Sequence, residues 1–406
     1  MSLGEEFLVG VNYWPRRKAM YLWKEFEEGE VRSEFKEIRD LNLKVVRVFL
    51  IWEDFQPEPR KVDRSSLDKL EALMDAANRY GLKVIPTLIV GFMSGINWAP
   101  KWALDESSVH TRYPTASGGR LLRCGVRDIY EDPDMLKAER LLVREVALRL
   151  REHPALLAWD ISNEVDNFKL PKSCESARRW VEIMYREIKG VDPAHPVTLG
   201  MHQENLEYDK GFRVSEVSAF NDFLCMHGYS VFSDWCEGPL DSDVVPFLSL
   251  LARELGGKPV LFEEFGMPTS PPGRPSESLG KVRIFKKEVE LFLASEEEAA
   301  RYYREVLDKL HRAGSLGALA WDFSDYDPCI YERPCLRALS RYEQSFGLTR
   351  ADGNVKPSGE VIKEFASEAK EVTRPDVDLK VDVENYYRSP NLHLREAFRR
   401  FKEAFK

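Results

Sequence analysis

Eight short apolar runs alternate with amphipathic stretches, and this alternation restricts the fold more than any other feature of the chain. The clearest run is Lys44 to Ile51 (KVVRVFLI), apolar, largely β-branched and interrupted only by Arg47. Such a run marks a strand buried on both faces. The others are Phe7 to Tyr13, Lys83 to Val90, Ala155 to Ile161, Pro196 to Met201, Phe223 to Met226, Pro259 to Phe262 and Ser315 to Trp321. Between them, helical spacing predicts helices over Lys24 to Leu41, Ser65 to Tyr80, Asp134 to Arg151, Ser173 to Lys189, Asp243 to Leu255, Ser295 to Arg312 and Glu360 to Glu371. Ser65 or Ser66 is the expected N-cap of the second helix, and Gly81 its stop.

Strands and helices in this order predict an α/β fold, a (β/α)8 TIM barrel over residues 1–372 with a short helical extension at 373–406. A long loop from Gly91 to about Asp132 carries Trp98, Trp102 and His110, and loops of that length inside a compact domain usually serve function. Asn391 to Lys406 has the spacing of an amphipathic helix. It is expected to dock on the barrel or to mediate self-association, with a basic membrane-surface helix as the alternative.

An apolar fraction of 43% supports a sizeable core, and a net charge of −9 without a basic block argues against nucleic acid or anionic membrane as partner. No GxGxxG or GxxxxGK[ST] follows a strand, so no nucleotide cofactor is expected. The opening MSLGEEFLVG has no secretory pattern, which suggests a soluble, cytoplasmic protein, or a secreted one from which a signal has been removed. Abundant Lys, Arg and Glu suggest heat adaptation. The six cysteines form no zinc pattern and are read as buried or free thiols, with a Cys329–Cys335 bridge as the alternative.

Barrel enzymes carry their chemistry at the C-terminal strand ends. The polar residues there are Arg47, Asn163 and Glu164, His227 and Tyr229, Glu263 and Glu264, and Trp321 with Asp322. Two carboxyls on opposite walls of one cavity meet the minimum for cleaving a glycoside, with a separation of about 5 Å for retention of configuration. They supply both acid/base and covalent catalysis, so neither a metal nor an organic cofactor is expected. Trp98, with Trp14, Trp52, Trp102 and Trp235, could offer stacking platforms for sugar rings.

Taken together, the motifs resemble clan A of the glycoside hydrolases and, within it, family five, over roughly residues 7 to 370. WDISNE is similar to that clan's strand-four signature, which implies Glu164 as acid/base and Asn163 as holder of the sugar 2-hydroxyl. PVLFEEFG is similar to its strand-seven signature, which implies Glu264 as nucleophile. Glu263 should then point away, because strand side chains alternate faces. MHGYS implies substrate contact by His227 and a hydrogen bond from Tyr229 to the nucleophile. VVRVF places Arg47 as the steadying cation, and ALAWDF places Trp321 under the sugar.

Many family members carry a His after strand three, where this chain reads VGFMSG. The mannan-cleaving branch also lacks it, and HGYSVFSDW resembles that branch, so the resemblance implies a retaining enzyme leaning towards β-mannan. GVNYWP is similar to β-galactosidases of the clan. A β-galactosidase or β-glucosidase type of exo-enzyme, or a non-catalytic carbohydrate-binding barrel, are the alternatives. Arg47 and Tyr229 are expected to keep Glu264 ionised while Glu164 titrates higher.

Overall fold

In the computed structural model, which describes residues 3–108, 112–375 and 377–405, eight parallel strands ring a common axis. They are β1 (Leu8–Asn12), β2 (Val45–Ile51), β3 (Lys83–Val90), β4 (Trp159–Asn163), β5 (Val197–Gly200), β6 (Leu224–His227), β7 (Val260–Phe265) and β8 (Gly317–Ala320). Hydrogen bonding runs β5-β4-β3-β2-β1-β8-β7-β6. A parallel bridge between His202 and His227, and the bond from His227 N to Met201 O at 2.8 Å, join the two ends. The expected barrel is therefore present, and His110 lies outside the described residues.

The long helices of the outer layer are α1 (Glu28–Asp40), α2 (Arg64–Arg79), α3 (Pro133–Leu150), α4 (Cys174–Val191), α5 (Val244–Gly256), α6 (Glu296–Arg312) and α7 (Pro357–Ser367). The cap of α2 is Asp63, whose carboxylate accepts from Ser66 N at 2.8 Å, rather than either serine. A carboxylate ahead of the first turn satisfies an orphan N–H and favours the positive helix end.

Inside the barrel, side chains stack in layers. Val45, Ile85, Ala158, Cys225 and Leu261 form an apolar floor with Leu8 and Leu319. Two residues further along the same strands, on the same face, come Arg47, Thr87, Asp160, His227 and Glu263, all buried. A polar layer thus rests on an apolar one. Strand β4 starts later than its apolar run because Leu156 makes only an isolated bridge to Val84. Strand β7 extends through both glutamates.

Two insertions rise above the strand ends. In the first, Phe92–Met93, Ile96–Trp98, Thr115–Ser117 and Arg120–Leu122 form a small sheet. After β7, Glu277–Ile284 and Lys287–Leu293 pair as an antiparallel hairpin whose Lys287 reaches buried Glu207. Its second strand, KEVELFL, alternates buried and exposed residues, a period-2 signal that the helix-and-strand count passed over.

The chain ends in α8 (Pro390–Ala404), whose Phe398 packs edge-on to Trp235 at 4.9 Å. Among the described residues no helix is long and apolar enough to cross a membrane. All six cysteines are free. The Cys329–Cys335 bridge is not formed, since Cys335 is buried beside Tyr21 and Cys329 Sγ faces Arg17 O at 3.7 Å.

Candidate active site

A cleft of about 850 Å³ opens at the C-terminal strand ends. Glu164, Glu264, Asn163, His227, Tyr229 and Trp321 line it. Glu164 directly follows β4 in a left-handed backbone conformation, φ 43° and ψ 48°, which is unfavourable for a residue with a Cβ and is typical of functional positions. Donor atoms of Glu164, His227 and Glu264 all lie within 4.8 Å of one another. A cation could use that spacing, but positive charge is already supplied by Arg47 Nη1, 2.6 Å from Glu264 Oε1.

Arg47 is fully buried beneath the cleft. Its guanidinium donates to Glu264, to Asp160 Oδ2 at 2.8 Å and to Asn163 Oδ1 at 3.0 Å. It therefore acts on a ligand only through these groups, from the place the motif implied for a steadying cation. Thr87 accepts from Arg47 at 2.9 Å and donates to Asp160 at 2.7 Å. The guanidinium fits because β5 ends in glycine: a Cβ at Gly200 would lie 2.8 Å from Arg47 Nη2. Tyr229 donates to Glu264 Oε2 at 2.9 Å. Asn163 donates one amide hydrogen to Phe92 O at 3.1 Å, leaving the other for a ligand.

Glu263 does not point away. Leu261 belongs to the barrel floor, so alternation carries Glu263 to the interior, where it meets His227 Nε2 at 3.3 Å and Arg47 Nε at 3.4 Å. Glu264 reaches the cleft because both ladders of β7 shift register there, pairing His227 with Glu264 on one side and skipping from Phe262 to Phe265 on the other.

Trp98 does not line the cleft either. Its ring is buried, edge-on to Tyr21 at 6.1 Å. Trp14 stacks on Phe49, Trp52 meets Trp102 edge-on, and Trp235 donates to Glu207. Of the tryptophans, Trp321 alone lines the cleft among the described residues.

Several neighbours of Glu164 were not anticipated. Asn167 donates to Glu164 Oε2 at 2.8 Å, while its own oxygen accepts from Arg112 at 2.9 Å and Lys210 at 3.0 Å. Lys210 pairs with Asp166 at 2.6 Å and Glu204 at 2.7 Å, and His202 Nε2 lies 3.0 Å from Asp166. Asn167 sits three residues after Glu164 on one helical turn and His202 just past the fifth strand, so both positions carried a readable signal.

The expected tuning of the two carboxyls is reversed in the structure. Burial pushes Glu264 above its ordinary value, although His227 and Arg47 pull it down. Burial also raises Glu164, but the charge of His202 and the hydrogen bond and charge of His227 outweigh it and hold the carboxyl low. His227, despite burial, is pushed up to about 9 by Glu264, Glu164 and Glu263. Its Nδ1 lies 3.0 Å from Glu164 Oε1 and 3.6 Å from Glu264 Oε1. One imidazolium thus serves both acids.

A family model described as Beta-galactosidase (Glyco_hydro_42) matches residues 20–203. The probable mannan endo-1,4-beta-mannosidase A-2 of Aspergillus terreus is 28% identical over 219 residues, 50% of this chain and 49% of that protein. The chain spans about half the length of such curated relatives. Among solved structures, the exo-beta-1,4-mannosidase Op5Man5 from Opitutaceae bacterium strain TAV5 is 26% identical with a TM-score of 0.71, covering 90% of this chain and 60% of that one. A GH5_18 variant from Streptomyces cattleya in complex with Manb1-4GlcNAc is 21% identical with a TM-score of 0.78, covering 98% of this chain and 92% of that one. The fold is that of the TIM-barrel glycoside hydrolases. Within them the chain resembles clan A, in its family-five-like branch.

Proposed function

We propose that the protein is a retaining β-glycoside hydrolase working by double displacement, with β-mannosides as its substrates. The observation that carries this reading is the approach of Glu164 and Glu264 oxygens to within 4.8 Å. Retaining enzymes hold their two carboxyls about 5–5.5 Å apart, whereas inverting ones need about 6.5–9.5 Å for an intervening water.

In the first step Glu264 Oε attacks the anomeric carbon and forms a glycosyl ester, while Glu164 gives its proton to the departing oxygen. Arg47 and Tyr229 hold Glu264 for attack from one direction. The proton comes from the His227–Glu164 pair, whose 3.0 Å hydrogen bond lets it pass from Nδ1 to Oε1 as the aglycone oxygen arrives. In the second step Glu164 takes a proton from water, the hydroxide attacks the anomeric carbon, and Glu264 leaves. Trp321 offers an apolar face for the sugar ring.

The β-mannosidic preference is supported by HGYSVFSDW after β6 and by relatives named as mannosidases. A β-galactosidase is the second reading, favoured by the family model over residues 20–203. Release of nitrophenol from aryl β-mannoside, β-galactoside and β-glucoside separates them. With Glu264→Ala, azide is expected to restore turnover and give the α-glycosyl azide; a β-azide there would reverse the two roles, and inactivity of the unaltered protein towards all three sugars would sink the enzyme.

A further inference from the structure

Five carboxyls line the cleft: Glu164, Asp166, Glu204, Glu264 and Glu343. Two carry the proposed chemistry. Asp166 and Glu204 are neutralised by Lys210, 2.6 and 2.7 Å away. Glu343 is different. Its Oε2 is shut off from solvent with no hydrogen-bond partner, and among the described residues no cation pairs with it. A shielded carboxyl oxygen without a partner is costly, so one that persists beside the proposed reaction centre needs a reason. Burial pushes it up to about 7, helped by the negative charges of Glu264 and Glu164.

Its surroundings supply that reason. The Ser94 hydroxyl and the Trp321 indole lie beside the carboxyl. Ser94 Oγ is likewise buried without a partner, and its backbone is left-handed at φ 50°, a strained conformation for serine. Ser94 Oγ and Glu343 Oε2, both buried without a formed hydrogen bond, thus lie close together beside the indole expected to carry the sugar. The loop that presents Glu343, a short helical turn over Arg341–Ser345, is fixed from behind: Lys356 Nζ donates to Ser345 O at 2.9 Å and to Thr269 Oγ1 at 2.8 Å. On the cleft side Phe346 packs edge-on to Tyr229 at 5.7 Å. Glu343 thus stands beside Glu264 and Trp321, where the glycone would sit.

We propose that Glu343, assisted by Ser94, is a specificity-determining contact that accepts hydrogen bonds from two adjacent hydroxyls of the sugar at the cleavage point. This rests on the glycosidase reading above. A carboxylate can accept two such bonds at once, and a site built to bond hydroxyls discriminates strongly against sugars that lack them.

The test compares the unaltered enzyme, Glu343→Gln and Glu343→Ala on 4-nitrophenyl β-mannoside and its monodeoxy analogues. The unaltered enzyme should penalise loss of two neighbouring hydroxyls. Glu343→Ala should lower kcat/KM on the parent sugar by roughly 10- to 100-fold and largely abolish those two penalties. Retention of parent activity within about twofold and of every deoxy penalty, in either folded variant, overturns the proposal. Glu343→Gln, close in shape, serves if the alanine variant fails to fold. Titration calorimetry of β-1,4-mannobiose into Glu264→Gln, with and without Glu343→Gln, decides the contact independently of turnover. An affinity loss of about tenfold is expected, and unchanged affinity overturns it. Inactivity of the unaltered enzyme would instead sink the glycosidase reading, leaving the calorimetric result to judge Glu343.

Discussion

The two walls of the cleft solve the problem of buried charge in opposite ways. Behind Glu164, Asp166 and Glu204 are matched by Lys210, Arg112 and His202, and Asn167 passes the order of that cluster to the proposed acid/base carboxyl through one hydrogen bond. Beside Glu264 and Trp321, Glu343 and Ser94 keep unmatched polar atoms. The first wall is complete without a ligand and orients a reactive group. The second is incomplete, which is what a surface that reads sugar hydroxyls requires, because groups already satisfied gain little from a new partner.

The sharpest way to break this comparison is through the chemistry between the walls. Glu264→Ala should lower turnover by on the order of 10⁴-fold for every substrate. Glu164→Ala should do so for alkyl glycosides but much less for dinitrophenyl glycosides, whose leaving group needs no proton. Equal losses on both substrates, followed by steady-state kinetics, would remove Glu164 from its role.

Next in size is Lys210→Met. Removing one buried cation takes from Asp166 its 2.6 Å partner while Glu204 keeps Arg112, and loss of a partner from such a buried pair costs about 3–5 kcal/mol. Urea unfolding should register that drop for Lys210→Met and almost none for Glu343→Gln. The reverse order would mean that the walls have been assigned wrongly.

A smaller effect is expected for Asn167→Ala, roughly tenfold in kcat, since a 2.8 Å hydrogen bond to Glu164 is lost. That donor favours the ionised form, so its removal should also raise the pH at which the acid/base group titrates. An unchanged pH profile would reduce Asn167 to packing.

The smallest effect is in stability against pH, where the walls should act with opposite sign. Asp166 and Glu204, despite burial, are held far below their ordinary values of 3.8 and 4.5, chiefly by Lys210 and Arg112. Their contribution is present above those values and lost as pH falls beneath them. Glu343 is raised from 4.5 to about 7 by burial, so its contribution is present below 4.5 and lost as pH rises through 7. Glu343→Gln should flatten the neutral limb of a urea-midpoint profile and leave the acid limb alone. A flattened acid limb would contradict this.

Much of the site was legible because barrel strands announce themselves. Arg47 broke an apolar run, and Glu164, His227, Tyr229 and Glu264 followed such runs. The orientation of Glu263 was misread for a local reason: period-2 alternation from Leu261 sends it inward, and a register shift that no sequence pattern displays then brings Glu264 inward too. The tuning of the two acids was misread because His202 comes from a different strand, and its charge on Glu164 depends on closure of the ring. Glu343 and Ser94 were invisible because each sits in a loop whose position is set by partners far away in the chain, Lys356 among them. Trp98 shows the converse, an aromatic in a functional-looking loop that serves the core.

Arg47 touches residues of β1, β3, β4 and β7 at once, through Asn12, Thr87, Asp160, Asn163 and the two glutamates. A single side chain therefore senses the spacing of half the ring. Heating that loosens any one of those strands by a fraction of an ångström would misalign the Glu264 oxygen proposed to attack well before the helices melt. Loss of catalytic competence should accordingly run ahead of global unfolding, with the guanidinium acting as the molecule's own strain gauge.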